Sequence, residues 1–394
     1  MRSRARPLRM RRLCFALSAA AIAMLGCGLA PASANASSTA PMVSAVSTSS
    51  DSWVTLPMGD LSNPDNTFWE LFHAALGSPR WSLVTPPGVA DNGGLVESAS
   101  GGGALVGFVP SNLLHFSPLA QRAQGGSSWV PAFLPGGLAP LPDALAYDAS
   151  SAGSALAVLG GGRALSGPTD LSSWTPLVTA ARLNRVSPAC DVDGLDGAAL
   201  LPSGAPLIAT GCQRGGLIGL FTRTATTWQR AGLRLGGKLR GAATTVLRVQ
   251  STAATTTVLV LASRGSQRAL VALWHSGSAP WTVARVLTLR SGSSVRSTAV
   301  NQAGDVGVLL AGGTKGGRLA MDIAPAGRWK QLPQLPARTA ALALPAGAPP
   351  STGPDVDAFT VQGESLGVFT LTPSSGAWAK VQSSQIPLAY GSSG

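Results

Sequence analysis

Charge is scarce in this chain, and one sign of it disappears over a long stretch. Only 12% of the 394 residues are charged, and from Gly197 to Gly304 twelve basic residues meet no acidic one. Long amphipathic runs rich in Glu, Lys and Leu are absent, which excludes a helical bundle. The longest apolar run, Leu13 to about Leu29, is too short and too rich in Ala and Gly to favour a permanent membrane span. Tyrosine is reduced to Tyr147 and Tyr390, glutamate to Glu70, Glu97 and Glu364, and histidine to His73, His115 and His275. The histidines stand far from the cysteines, so no zinc-ligand spacing is visible.

What is present is turn chemistry. Gly 48 and Pro 29, with 45% hydrophobic residues, point to many short strands joined by tight turns, and the length admits one large β domain. Six arginines (Arg2, Arg4, Arg6, Arg9, Arg11, Arg12) precede the Leu13 run, and Ala32-Ser-Ala34 and Ala34-Asn-Ala36 follow it. That is the layout of a secretory signal over residues 1–36. Met24-Leu-Gly-Cys27 resembles a lipobox, which would make Cys27 a lipid anchor; a plain charged leader segment explains Arg11-Arg12 better than a twin-arginine signal. In an exported chain, Cys190 and Cys212 read as a disulfide. Residues 37–50, small and aperiodic, read as a flexible leader.

From residue 51 a repeat appears. Trp81, Trp129, Trp174, Trp228, Trp281, Trp329 and Trp378 each follow a polar turn, at spacings of 48, 45, 54, 53, 48 and 49 residues, the period of a four-stranded propeller blade. Ahead of six of them stand hairpin patterns, at Ala104–Ser117, Ala155–Gly167, Leu207–Thr222, Leu259–His275, Val306–Ala324 and Ala358–Thr372. Each hairpin is preceded by a small-residue segment suited to an innermost strand: Leu95–Ala99, Ala144–Ala149, Ala198–Pro202, Ala242–Val249, Thr298–Asn301 and Thr339–Leu344. The first repeat lacks such a segment, whereas Ile386–Tyr390 (IPLAY) resembles the inner strand ALAY of Ala144–Tyr147. The expectation is an all-β chain forming a single β-propeller over 51–390. Its blades are four-stranded and antiparallel, seven in preference to six, with the ring closed by the C-terminal strand and 391–394 left as a tail.

The loop-then-Trp turns resemble those of the sialidase-like, Asp-box propellers, which carry Ser-x-Asp-x-Gly-x-x-Trp between the third and fourth strands. Pro168-Thr-Asp170-Leu-Ser-Ser-Trp174 comes nearest, with the Asp one residue closer to the Trp and the Gly missing. The resemblance covers residues 51–390 as architecture. It implies a Tyr and Glu pair, an acid and three arginines at the axis of an active member. Glu97 and Tyr147 fall on inner strands of successive blades, but no arginine clamp is visible; only Arg248 lies near the end of another inner strand. A glycoside hydrolase is therefore the alternative reading. A lectin is a second alternative, whose mark would be exposed Trp69 and Trp274.

Other motifs are weaker. Gly363-Glu-Ser365-Leu-Gly367 matches the serine-hydrolase pattern, but a strand follows it where the chemistry requires a helix. The glycine runs at Gly101 and Gly160 lack the Lys-Ser/Thr of a phosphate loop. Asp191, Asp193 and Asp196 form the most ligand-like cluster and are the candidate Ca²⁺ ligands, against an exposed acidic turn; no other cofactor is expected. Without the signal the net charge falls from +12 to +6. The acid-free arc suggests envelope polysaccharide, another anionic polymer or a protein partner ahead of nucleic acid. The reading is a non-catalytic binding or scaffolding module at the bacterial envelope, secreted or lipid-anchored, that touches the membrane through its signal or lipid alone.

Overall fold

A computed structural model describes residues 43–62, 66–86, 94–100, 102–108, 119–123, 126–134, 141–149, 153–252, 255–277, 279–284, 286–312, 317–345, 355–372 and 374–388. All of them lie in one unit, Asn35–Gly394. The signal-like segment, Cys27, His115 and Tyr390 lie outside the described residues.

The strands come in fours. β1 to β4 are Val43–Ser47, Asp51–Gly59, Thr67–Ala75 and Ser82–Leu83. β5 to β8 are Leu95–Ser100, Gly103–Phe108, Leu119–Arg122 and Val130–Ala132. β9 to β12 are Ala144–Tyr147, Ser154–Leu159, Arg163–Pro168 and Thr175–Thr179. The helix α1, Ala180–Val186, follows, its first turn capped by the Thr179 hydroxyl accepting from the Arg182 amide. β13 to β16 are Gly197–Leu200, Pro206–Thr210, Gly219–Thr224 and Thr227–Arg230. β17 to β20 are Ala243–Ser251, Thr256–Arg264, Gln267–His275 and Thr282–Val283, and β21, Leu287–Leu289, also pairs with β19. β22 to β25 are Ser294–Val300, Val306–Ala311, Arg318–Ile323 and Lys330–Gln331. β26 to β29 are Thr339–Ala343, Val356–Gln362, Ser365–Leu371 and Trp378–Gln385.

Within each group the order is sequential and antiparallel. The one departure is the parallel pairing of β1 with β22, Val43 opposite Ser297 through Val46 opposite Val300, which joins two groups into an eight-stranded sheet. Consecutive first strands touch from β5 through β9 and β13 to β17, and again from β22 through β26 to β1.

The small residues of the first strands follow from this crowding. Successive side chains on a strand point to opposite faces. Accordingly Ala198 packs into the cluster shared with β10, and Ala199 into the one shared with β18. On β9, Ala144 and Ala146 face the next sheet, while Leu145 and Tyr147 share a cluster with Leu105 and Leu119 of the preceding sheet. Larger side chains would hold those backbones apart.

Three expectations are corrected. The leader over 37–50 overlaps a strand, because Val43–Ser47 is buried along its whole length and pairs on both edges. A strand covered on both faces has no need of alternating polarity, so its pattern resembles a tether. The first strand of the N-terminal sheet is thus β1; Ile386–Leu388 forms no strand and is tied by the Ile386 amide to the Glu364 carbonyl at 2.9 Å. In the hairpin expected at Ala104–Ser117, the second strand is Leu119–Arg122, and the segment between lies outside the described residues. The remaining hairpins fall where the apolar runs place them, and each repeating Trp stands at or immediately before the start of a late strand of its group, Trp228 as the second residue of β16.

Candidate functional site

Five first strands converge on one cavity of about 300 Å³, lined by Val46 of β1, Glu97–Ala99 of β5, Leu145–Asp148 at the end of β9, Ala198–Pro202 at the end of β13 and just beyond it, and Arg248–Thr252 at the end of β17. At its floor Glu97 (2% exposed) and Arg248 (3% exposed) form an ion pair, Arg248 Nη2 donating to Glu97 Oε1 at 3.2 Å. The Ser44 hydroxyl lies 2.7 and 2.9 Å from the two Glu97 oxygens, and the Ser44 amide donates to Thr55 Oγ1 at 3.1 Å. Burial pushes the Glu97 carboxyl above its ordinary range, against the pull of the Arg248 guanidinium and the Ser44 hydroxyl.

Sequence reasoning placed Glu97 and Tyr147 together, and the structure does bring them to one cavity. It also brings Arg248, near the end of β17 as expected, and Asp148. Burial and then the charge of Asp148 raise the Tyr147 phenol, the direction opposite to that of an activated nucleophile. Glu97 is committed to Arg248 and Ser44. Among the described residues that line the cavity, Arg248 is the one arginine, against the three of a carboxylate clamp.

The residues missed were Ser44, hidden in an aperiodic segment, and Gln250. A signal for Gln250 was available: it stands two residues beyond Arg248 on one strand and therefore shares its face. Its Nε2 donates to the Ser47 carbonyl at 3.3 Å.

Cys190 and Cys212 are disulfide-bonded and fully buried. The adjacent aspartates go to three different partners. Asp191 pairs with Arg214 at 2.7 Å on the surface, and Asp193 accepts from Gln213 Nε2 at 2.5 Å. Asp196 is buried, accepts from the Val246 amide at 2.8 Å, and is pushed up to about 7 chiefly by burial. Among the described residues no group of three His, Cys, Asp or Glu side chains is arranged to hold a metal.

The remaining motifs resolve as scaffold. Gly363 (φ +59°) makes the turn between β27 and β28, a backbone region that suits glycine, and Ser365 opens a strand and accepts from Gln385 Nε2 at 2.8 Å. Asp170 Oδ1 accepts from the Ser172 amide at 3.0 Å and hydroxyl at 2.7 Å, closing the turn before Trp174. Trp69 (9% exposed) and Trp274 (3% exposed) are core residues, so the expected mark of a lectin is not there. Trp274 Nε1 donates to the Gly304 carbonyl at 2.7 Å, and a Cβ on Gly304 (φ +88°) would meet that ring at 3.1 Å.

Two other arginines of the basic arc lie elsewhere. Arg264 Nη1 donates to the Lys238 carbonyl at 3.2 Å and Arg268 Nη1 to the Ser293 carbonyl at 3.0 Å. Register places both arginines beside Ala243, at the end of β17 remote from Arg248–Thr252.

No family model and no curated protein matches the chain. Solved structures do resemble it. A GH74 xyloglucanase from Xanthomonas campestris aligns at TM-score 0.50 and 10% identity over 84% of this chain and 52% of that one, so the chain spans about half its length. A fucose-recognising lectin of Aleuria aurantia, a six-bladed β-propeller, aligns at 0.41 and 12% identity over 88% and 96% of the two chains. TolB from Acinetobacter baumannii gives 0.45 and 12% over 71% and 62%. The likeness concerns the fold alone: the chain is all-β with many four-stranded antiparallel sheets, and β-propellers are among the structures that resemble it.

Proposed function

We propose that this chain is an exported, non-catalytic, seven-bladed β-propeller that serves as a binding module at the bacterial envelope, with its ligand seated in the central cavity. Seven blades is the count obtained when β1–β4 and β22–β25 are taken as separate blades beside the five other sheets. The disulfide supports an oxidising compartment. One observation carries the binding reading: side chains from five first strands meet at a cavity where the buried Glu97 carboxylate is locked in an ion pair with Arg248 and polar groups line the wall.

A second reading, docking of an anionic polymer, attaches to the other end of β17, where Lys238, Arg264 and Arg268 gather and no acid occurs in the sequence from Gly197 to Gly304. An array of glycans and envelope polymers, read with the full-length protein and with Ser98→Trp, tests the first reading. Ser98 is a half-buried lining residue, and the added indole would plug the cavity. Capture by the unaltered protein and loss of at least tenfold in the variant is expected. Capture that survives the plug but vanishes in near-molar salt would transfer the site to the basic end.

A further inference from the structure

Arg248 has five N–H donors, and only its Nη2 contact to Glu97 is satisfied; Nε and Nη1, which carry three of the five, are buried without a partner. Two residues further along the same face, Gln250 Oε1 is likewise buried and unpartnered, and so is the hydroxyl of Ser47, whose carbonyl the Gln250 amide holds. Orphaned buried polar atoms are uncommon in folded proteins because each costs about 1–3 kcal/mol. Of these residues Arg248 and Gln250 line one and the same cavity.

The charge around them selects among ligands. The titratable side chains lining the cavity are Glu97, Asp148, Tyr147 and Arg248, two carboxylates against one guanidinium. An anionic ligand would add a third negative group beside Glu97, where burial already disfavours charge. A polyol supplies oxygens to Arg248 and a hydroxyl proton to Gln250 Oε1 without net charge. The volume, about 300 Å³, stands at the small end of ligand pockets, which run roughly from 300 to 1,000 Å³.

Resting on the reading of the central cavity as the ligand site, we infer that this cavity is a subsite for one neutral sugar residue, held by the free edges of Arg248 and by Gln250. Glu97 and Ser44 are then positioning residues, which fix the guanidinium with its remaining donors turned to the ligand.

The test is calorimetric titration of the full-length protein with the methyl glycosides of glucose, galactose and mannose, each beside its uronate counterpart. At least one neutral glycoside is expected to bind with a Kd of about 1 mM or below, and its uronate at least tenfold more weakly. Arg248→Lys retains the charge facing Glu97 but not the planar fork, and is expected to weaken binding at least tenfold. Gln250→Leu, at a half-buried position, is expected to weaken it about fivefold with an unchanged melting temperature, which keeps the test informative if Arg248→Lys folds poorly. Absence of binding by all three glycosides, a uronate that binds as tightly as its neutral partner, or Gln250→Leu binding at full strength would each overturn the inference. The outcomes separate it from the broader proposal: polymer capture abolished by Ser98→Trp, with no neutral glycoside bound, removes the sugar and leaves the cavity as the site.

Discussion

Two junctions between neighbouring sheets do the same job with different means. Between the β13–β16 sheet and the β17–β20 sheet, the hydrogen bonds are largely backbone: the Cys212 and Thr244 amides exchange hydrogen bonds with each other's carbonyls at 3.0 and 2.8 Å, and the Gly216 amide reaches the Ala242 carbonyl at 2.9 Å. Thr244 Oγ1 donates to the Leu217 carbonyl at 2.6 Å, Asp196 accepts from Val246, and the Cys190–Cys212 disulfide anchors the loop. Between β1–β4 and β26–β29 the contact is mostly side chain. Trp81 Nε1 donates to Asp357 Oδ2 at 2.8 Å, its ring meets Phe359 edge-on at 4.9 Å, and the Gln382 amide both donates to and accepts from the Trp81 backbone at 2.8 Å. One backbone bond, from the Gly59 amide to the Gly363 carbonyl at 3.1 Å, adds to these. The partners stand 276 and 301 residues apart in the second junction, against 32 and 50 in the first. Sheets adjacent in sequence can merge their loops, whereas the two ends of the chain are joined by long side chains that reach across.

The largest effect should therefore come from the side-chain junction. Trp81 is buried, and Trp81→Ala removes its packing while leaving the Asp357 carboxylate without its indole donor; a loss of about 4 kcal/mol in urea unfolding is expected. Trp81→Phe retains the ring and should lose only about 1–2 kcal/mol. A result under about 1 kcal/mol for the alanine variant would mean that β1–β22 pairing alone holds the N-terminal sheet. Cys190→Ala with Cys212→Ala opens a loop of 22 residues and should remove about 3 kcal/mol. If the backbone bonds of that junction suffice, the loss will be much smaller, and the comparison would tilt toward the backbone.

How far each junction was legible follows from the same contrast. The Trp period exposed the sheets, since a large aromatic at the head of each last strand is a strong local signal, and Cys190 and Cys212 were visible as a pair. The first strand of the N-terminal sheet was not, because Val43–Ser47 carries neither alternation nor bulk, and Ile386–Leu388 matches an inner strand by composition alone. The central site was half legible. Glu97 and Tyr147 could be set on first strands by period, but the Arg248–Glu97 ion pair spans 151 residues, and no local pattern announces which first strands share a cavity. The lectin mark failed for a related reason: Trp69 and Trp274 lie outside the repeat, yet their strands are buried on both faces.

Each junction also holds a buried aspartate, and these give the sharpest comparison. Burial, opposed by hydrogen bonds from Thr370 and Trp81, pushes Asp357 up to about 6, with Asp355 adding to the rise. Burial, opposed by the Val246 and Gly211 amides, pushes Asp196 up to about 7, with Asp193 and Asp143 acting in the same sense. An acid whose pKa is raised on folding binds its proton more tightly in the native state. Its contribution is complete below the unfolded pKa of about 3.9 and is lost as the pH rises through the folded value. Stability should accordingly decline between about pH 4 and pH 8, each carboxyl contributing a slope of at most about 1.4 kcal/mol per pH unit. Asp357→Asn should remove the part of the decline that ends near pH 6, and Asp196→Asn the part that ends near pH 7, in urea midpoints taken at constant ionic strength. A profile flat from pH 4 to 8 in the unaltered protein would sink both assignments. If Asp357→Asn alone alters the slope, then the disulfide-anchored junction admits water to Asp196, and the backbone-built contact is the looser of the two.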